Sequence, residues 1–186
     1  QQQEWKDRTA DIAAREIGPH AAECDRLAQY PQTSLDALRE AGLWALRVSQ
    51  EHGGLGADLV TTCLVVEEIA KQCPSTAMCY KMHLEATELV QQIPTPYQLE
   101  RFVKPLAQGQ VFATIAGGET TGSTGTDWKP VAMDVSTCPK ADAGFAINNI
   151  RKSYVTSAGH ATHYLMLNRL EGRPTEGMPD FLMVER

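Results

Sequence analysis

At Gly109 the apolar pattern of the chain changes period. Upstream, apolar residues recur at helical spacing; downstream they alternate, as in half-buried strands. The switch limits the fold to two successive parts, a helical one over 1–109 and a β one over 110–186. Short strands that follow one another without helices predict an antiparallel sheet or small barrel. The expected class is therefore α+β, an all-helical N-terminal domain followed by an antiparallel, barrel-like middle domain. No internal repeat or low-complexity tract interrupts this plan.

In the helical part, Ile12, Ala13, Glu16 and Ile17 begin a pattern that Gly18-Pro19 interrupts and that resumes from Ala21 to Leu27. Pro31 and Thr33 open a second helix, with Thr33 as N-cap, an apolar stripe of Leu35, Leu38 and Ala41, and Gly42 as the closing C′ residue. In SQEHGGLGADL, three glycines around Leu55 predict a flexible loop. No Lys-Ser/Thr follows and no strand precedes it, which excludes a phosphate loop. A helix over 58–72 is expected to bury Val60, Leu64 and Ile69 until Pro74 ends it. The next, over 75–90, carries Met78, Met82, Leu84 and Leu89. Core packing is the preferred reading of its methionines, and a ligand channel the alternative. A last helix from Tyr97 turns Leu99, Phe102 and Val103 inward, and Pro105 should stop it and leave Leu106 to pack from the following turn.

Beyond Gly109, strands are expected over 110–116, 131–135, 144–148, 151–157, 162–169 and 180–185. Turn signals lie at 140–143, 148–149 and 172–177. The net charge of −6 argues against nucleic acid or an anionic membrane as partner. No apolar run approaches a membrane span, and QQQEWKDRTADIAARE is not a secretory signal, so a cytoplasmic location, or an organelle matrix after processing, is the default expectation. The five cysteines are irregularly spaced and suggest neither disulfides nor zinc. Cys63, within CLVVEEIA, is expected to be a buried thiol, and Cys24 has no base beside it in sequence. His160 and His163 form HxxH on a turn without a third ligand, so no metal site is assigned.

The stretch RKSYVTSAGHATHYLMLNR, 151–169, carries most of the chemical information. Read as strand, turn and strand, it puts Tyr154 and Thr156 on one face of the sheet. An aromatic beside a hydroxyl, with backbone N–H groups between them, suits the edge of a planar heteroaromatic ring such as a flavin. An ordinary half-buried strand accounts for this segment equally well.

Four phrases in order resemble the acyl-CoA dehydrogenase superfamily. They are LDALREAGLWALRVSQEHGGLGAD, LVVEEIAKQCPSTAM, QLERFVKPLAQGQVFATIAGGETTGS and GFAINNIRKSYVTSAGHATHYLMLNR, and together they cover nearly the whole chain. The resemblance implies FAD, with FMN as alternative, held among a helical domain, a β domain and a C-terminal helical bundle. It implies that Tyr154, Val155 and Thr156 lie along the isoalloxazine, with Thr156 near N5. It also implies that the segment from Thr114 through Gly118 and Glu119 to Gly122 and Ser123 is the other flavin strand and loop. Ser123 would meet the cofactor or the acyl-CoA thioester arm. The sequence departs from the family pattern at Gly118, where relatives carry a threonine, at Glu119, whose alignment needs a one-residue gap, and at Val48-Ser49, where relatives carry Ile-Pro.

The implied reaction is α,β-dehydrogenation of an acyl-CoA thioester, as in fatty acid metabolism, with hydride transfer to flavin. The family's catalytic base comes from the C-terminal bundle, which the chain, ending at Arg186, is expected to lack. Glu67, Glu68 and Glu119 are therefore not assigned as base. A flavin-dependent monooxygenase of the same fold is one alternative, and a non-catalytic half-subunit completed by a companion chain is another. A homo-oligomer, dimer or tetramer, is the expected assembly, with neither nucleic acid nor membrane as partner.

Overall fold

The computed structural model describes residues 2–118, 137–142, 144–173 and 179–186. The chain divides into two compact units, Gln1–Ala113 and Thr114–Arg186.

The first unit is helical: α1 (Gln2–Ile12), α2 (Gly18–Arg26), α3 (Gln32–Glu40), α4 (Leu59–Gln72), α5 (Pro74–Gln91) and two short helices, α6 (Pro96–Gln98) and α7 (Lys104–Ala107). α1 packs on α4 and α4 on α5. Gly18-Pro19 does not interrupt the first helix. The chain widens to a π turn over Ala13–Ile17, closed by Gly18 N–H to Ala13 O, and α2 continues with the proline in its first turn. Pro105 does not stop the last helix either. A π turn over Leu99–Val103, closed by Lys104 N–H to Leu99 O, precedes it, and Leu106 is buried within α7. A proline clashes with the carbonyl four residues back and has no N–H to donate. A wide turn just upstream is where such strain can be absorbed.

Thr33 lies inside α3, and the N-cap position falls on Pro31, which has no side-chain cap. Leu35 and Leu38 are buried as expected, and Gly42 closes the helix at φ +76°. Asp58 caps α4, its carboxylate accepting from Thr61 N–H at 2.7 Å. The inward stripe of α4 is Thr61, Val65, Glu68 and Ile69. Val60 and Cys63 are exposed, contrary to expectation, because α4 has apolar residues on two faces and only one meets the core. Core packing also fails for Met78, which is 53% exposed, and Met82 is only half-buried. The inward side of α5 is taken by Thr76, Ala77, Tyr80, His83, Leu84 and Thr87.

The glycine loop is locked rather than flexible. Gly54 N–H bonds Ser49 O, Leu55 N–H bonds Ala45 O, Gly56 N–H bonds Val48 O and Ala57 N–H bonds Leu46 O, all between 2.8 and 3.1 Å. A Cβ on Gly54 would lie 2.3 Å from both Cβ and O of Val48. Gly54→Ala is therefore expected to cost roughly 1–3 kcal/mol through overpacking, seen as a lower urea midpoint at unchanged slope.

In the second unit, β5 (His163–Leu170) is the hub. It pairs with β1 (Ala113–Ala116), with β6 (Asp180–Glu185) and with β2 (Thr137–Cys138); β3 (Lys140–Ala141) and β4 (Gly144–Phe145) form a separate pair. β6 runs antiparallel to β5, from His163↔Glu185 to Asn168↔Asp180, whereas β2 runs parallel to it, Thr137↔Arg169 and Cys138↔Leu170. The sheet is thus mixed, which corrects the antiparallel expectation. A long connection, including the β3–β4 pair, separates β2 from β5 and lets the chain return in the same direction. The expected strand over 144–148 is confined to β4. The one expected over 131–135 lies outside the described residues. The stretch 151–157 is not a strand: Lys152 makes a single bridge, Tyr154 takes φ +56°, and a turn begins at Thr156.

Candidate functional site

The segments before and after the expected loop meet within the second unit. Thr114, at the start of β1, is fully buried, and its hydroxyl donates to Thr156 O at 2.8 Å. Ser153 N–H donates to Gly118 O at 2.7 Å. The Lys152 ammonium reaches Gly117 O at 3.4 Å and also donates to Leu167 O on β5. These bonds lay 152–156 beside 114–118. Thr114, Gly118, Val155 and Thr156 are thereby brought together along one backbone edge, with Tyr154 in the same run. Glu119, Gly122 and Ser123 lie outside the described residues.

The expected common face of Tyr154 and Thr156 does not form, because alternation needs an extended backbone and Tyr154 is left-handed. Its ring is instead 89% exposed, which is unusual for a tyrosine. Among the described residues, the N–H groups of Val155 and Thr156 and the Thr156 hydroxyl make no hydrogen bond. Ser157 follows at φ +62°, buried, with its Oγ unpartnered among the described residues. Its carbonyl accepts from His160 and Ala161 N–H, which closes the turn. The result is an exposed aromatic surface followed by a row of available donors. That is the complement of a planar ring system whose rim carries carbonyl oxygens and ring nitrogens, so the residues present fit a flavin. Lys152 and Ser157 escape sequence reading because alternation only places Lys152 on the face of Tyr154 and Thr156 and Ser157 on the other, and gives neither a partner.

The first unit holds a buried polar centre that periodicity also conceals. His83 is fully buried on α5. Its Nδ1 accepts from Ala113 N–H at 3.1 Å, so Nε2 carries the proton and donates to Trp44 O at 2.9 Å. The imidazole stacks on Phe112 at 4.6 Å, and Phe112 lies 4.8 Å from Trp44. Burial pushes the His83 pKa down from 6.5 to about 4, so the ring is neutral at pH 7. Tyr80 donates to Leu43 O at 2.6 Å, one helical turn away. Only the position of His83 on the inward stripe of α5 hints at it in the sequence.

On the outer side, α4 and α5 border a groove of about 460 Å³ with Leu59, Cys63, Val66, Ala70 and Leu84 along it. Its rim charges are paired, Arg47 with Glu88 at 2.9 Å and Lys81 with Glu85 at 2.7 Å. Glu67 and Glu68 both pair with Lys71, at 3.1 and 2.7 Å. Among the described residues no group of three His, Cys, Asp or Glu could hold a metal, and no helix is long and apolar enough to cross a membrane.

Residues 1–110 match the family model of the acyl-CoA dehydrogenase N-terminal domain. The "probable acyl-CoA dehydrogenase FadE25" of Mycobacterium tuberculosis is 34% identical over 158 residues, which are 84% of this chain and 39% of that protein. The chain thus spans about two fifths of the length of this relative. Butyryl-CoA dehydrogenase from Megasphaera elsdenii superposes with a TM-score of 0.84 at 23% identity, over 99% of this chain and 48% of its own. TdsC from Paenibacillus sp. A11-2, a dibenzothiophene monooxygenase solved with FMN bound, superposes with a TM-score of 0.79 at 22% identity, over 98% of this chain and 44% of its own. At these identities the two structures establish the fold.

Proposed function

Because the chain belongs to the acyl-CoA dehydrogenase family, we propose that it forms the helical N-terminal (1–109) and middle β (110–186) domains of a flavin-dependent oxidoreductase. The reaction proposed is α,β-dehydrogenation of an acyl-CoA thioester with FAD as cofactor. The observation that carries the reading is the edge made by 114–118 and 153–156, with donors at Val155 and Thr156 beside the exposed Tyr154 ring.

Bound flavin supplies an electron sink for the hydride released from the acyl β carbon. The chain's own residues bind and orient. Tyr154 offers an apolar wall, while Val155 N–H, Thr156 N–H and the Thr156 hydroxyl offer hydrogen bonds to a polar rim. Thr114 holds Thr156 from behind, so its hydroxyl acts through the backbone rather than by direct contact. Gly118, Glu119, Gly122 and Ser123 complete the proposed cofactor contacts, and Ser123 also meets the acyl-CoA arm. None of the glutamates is given the base role, since Glu67 and Glu68 are engaged by Lys71. The α-proton acceptor is expected outside 1–186, from further chain or from a companion subunit. A homo-oligomer, dimer or tetramer, is the proposed assembly.

A monooxygenase is the second reading. It is favoured by Gly118 and the other departures in the loop, and by the match to TdsC. The absorption spectrum of the purified protein, with any released flavin identified, tests the common premise. Acyl-CoA oxidation with an artificial electron acceptor supports the dehydrogenase; oxygen uptake dependent on a flavin reductase supports the monooxygenase. Thr156→Val should weaken FAD binding by about 3- to 10-fold, the worth of one hydrogen bond, because the carbonyl held by Thr114 stays in place. A protein that binds neither FAD nor FMN would overturn the proposal.

A further inference from the structure

The run 153–156 lacks the regular ladder of a strand, so something else must hold its donors in register. Lys152 is placed to do so. Its ammonium donates to Gly117 O, just past β1, and to Leu167 O, in the buried middle of β5. One half-buried side chain therefore ties 152–156 both to the strand before the loop and to the hub of the sheet. The neighbouring bonds, Ser153 N–H to Gly118 O at 2.7 Å and Thr114 Oγ1 to Thr156 O at 2.8 Å, continue the same seam at either end of the left-handed Tyr154.

The chemistry of the group matters here. An ammonium is a point donor with diverging N–H bonds and can serve two carbonyls that approach from different directions. A guanidinium is a planar fork that cannot take the same place without shifting one of them. Hydrogen bonds to an ionised donor are also stronger than neutral ones, which suits a tie that replaces a strand ladder.

Resting on the flavin reading above, we propose that Lys152 is a positioning residue for the cofactor edge. By clamping the Gly117 and Leu167 carbonyls it fixes where Val155 and Thr156 present their donors. It acts through the backbone and does not touch the ring itself.

The test compares Lys152→Met and Lys152→Arg with the unaltered protein, at a temperature where circular dichroism shows all three folded. FAD affinity, the visible spectrum of bound FAD and amide hydrogen exchange at Ser153 without FAD are measured. Lys152→Met keeps the side-chain length but not the donors. It should weaken FAD binding about 10- to 100-fold, alter the flavin spectrum and speed exchange at Ser153. Lys152→Arg should recover part of the affinity. Should Lys152→Met fail to fold, Lys152→Arg decides, with FAD binding expected to be several-fold weaker than in the unaltered protein. A melting temperature that falls while FAD affinity and spectrum stay unchanged would reduce Lys152 to a packing role and overturn the proposal. If the unaltered protein binds no FAD, the flavin reading fails and takes this proposal with it. Normal binding in the unaltered protein and in the variants alike sinks this proposal alone.

Discussion

Replacing His83 with leucine should remove roughly 2–6 kcal/mol of unfolding free energy, a large share of the total for a typical domain. Leucine fills much of the space, so the loss is chiefly one of hydrogen bonding. Trp44 O loses its donor and Ala113 N–H loses its acceptor, and each buried orphan costs about 1–3 kcal/mol. The stacking on Phe112 goes as well. Urea denaturation at pH 7 measures the change. A loss below about 1 kcal/mol would mean that the helical unit closes around Trp44 and Phe112 without the imidazole.

The second large effect is acid destabilisation through the same ring. Unfolded, His83 takes a proton with a pKa near 6.5; folded, it resists until about pH 4. Between these values the unfolded state binds more protons than the folded one, so stability falls as the pH falls. The contribution is fully present above pH 6.5, declines through the window and is exhausted below about pH 4. The shift corresponds to about 3 kcal/mol. Carboxylates titrate in part of this range, so the measurement is a difference between the unaltered protein and His83→Leu. Their stability curves should converge from pH 7 to pH 4. Parallel curves would show that the ring does not resist protonation when folded.

The sequence discloses the fold's outline far better than its exceptions. The period change at Gly109, the Leu35–Leu38 stripe and the Gly42 stop are local signals, and each works within a few residues. The two prolines mislead because the remedy for a helical proline is a widened turn, and no residue type marks one. Val60 and Cys63 mislead because α4 is apolar on two sides and periodicity does not say which meets the core. At the candidate site, alternation over 151–157 predicts a strand that does not form. The donors of Val155 and Thr156 are available because the strand fails to form. His83 is hidden for a different reason: its partners, Trp44 and Ala113, stand 39 and 30 positions away, beyond any local pattern. The parallel pairing of β2 with β5 is equally non-local.

Each π turn also sets the phase of what comes after it. An extra residue in a helix rotates everything downstream by about 100° relative to everything upstream. In 99–103 that offset lies between the start of the helix at Pro96 and Leu106, which is buried beyond it. Losing one residue there would turn the screw rather than shorten a loop, and would swing Leu106 out of alignment with its first turn. In comparing this chain with others, length differences just ahead of Pro19 or Pro105 are therefore changes of facing, not of reach.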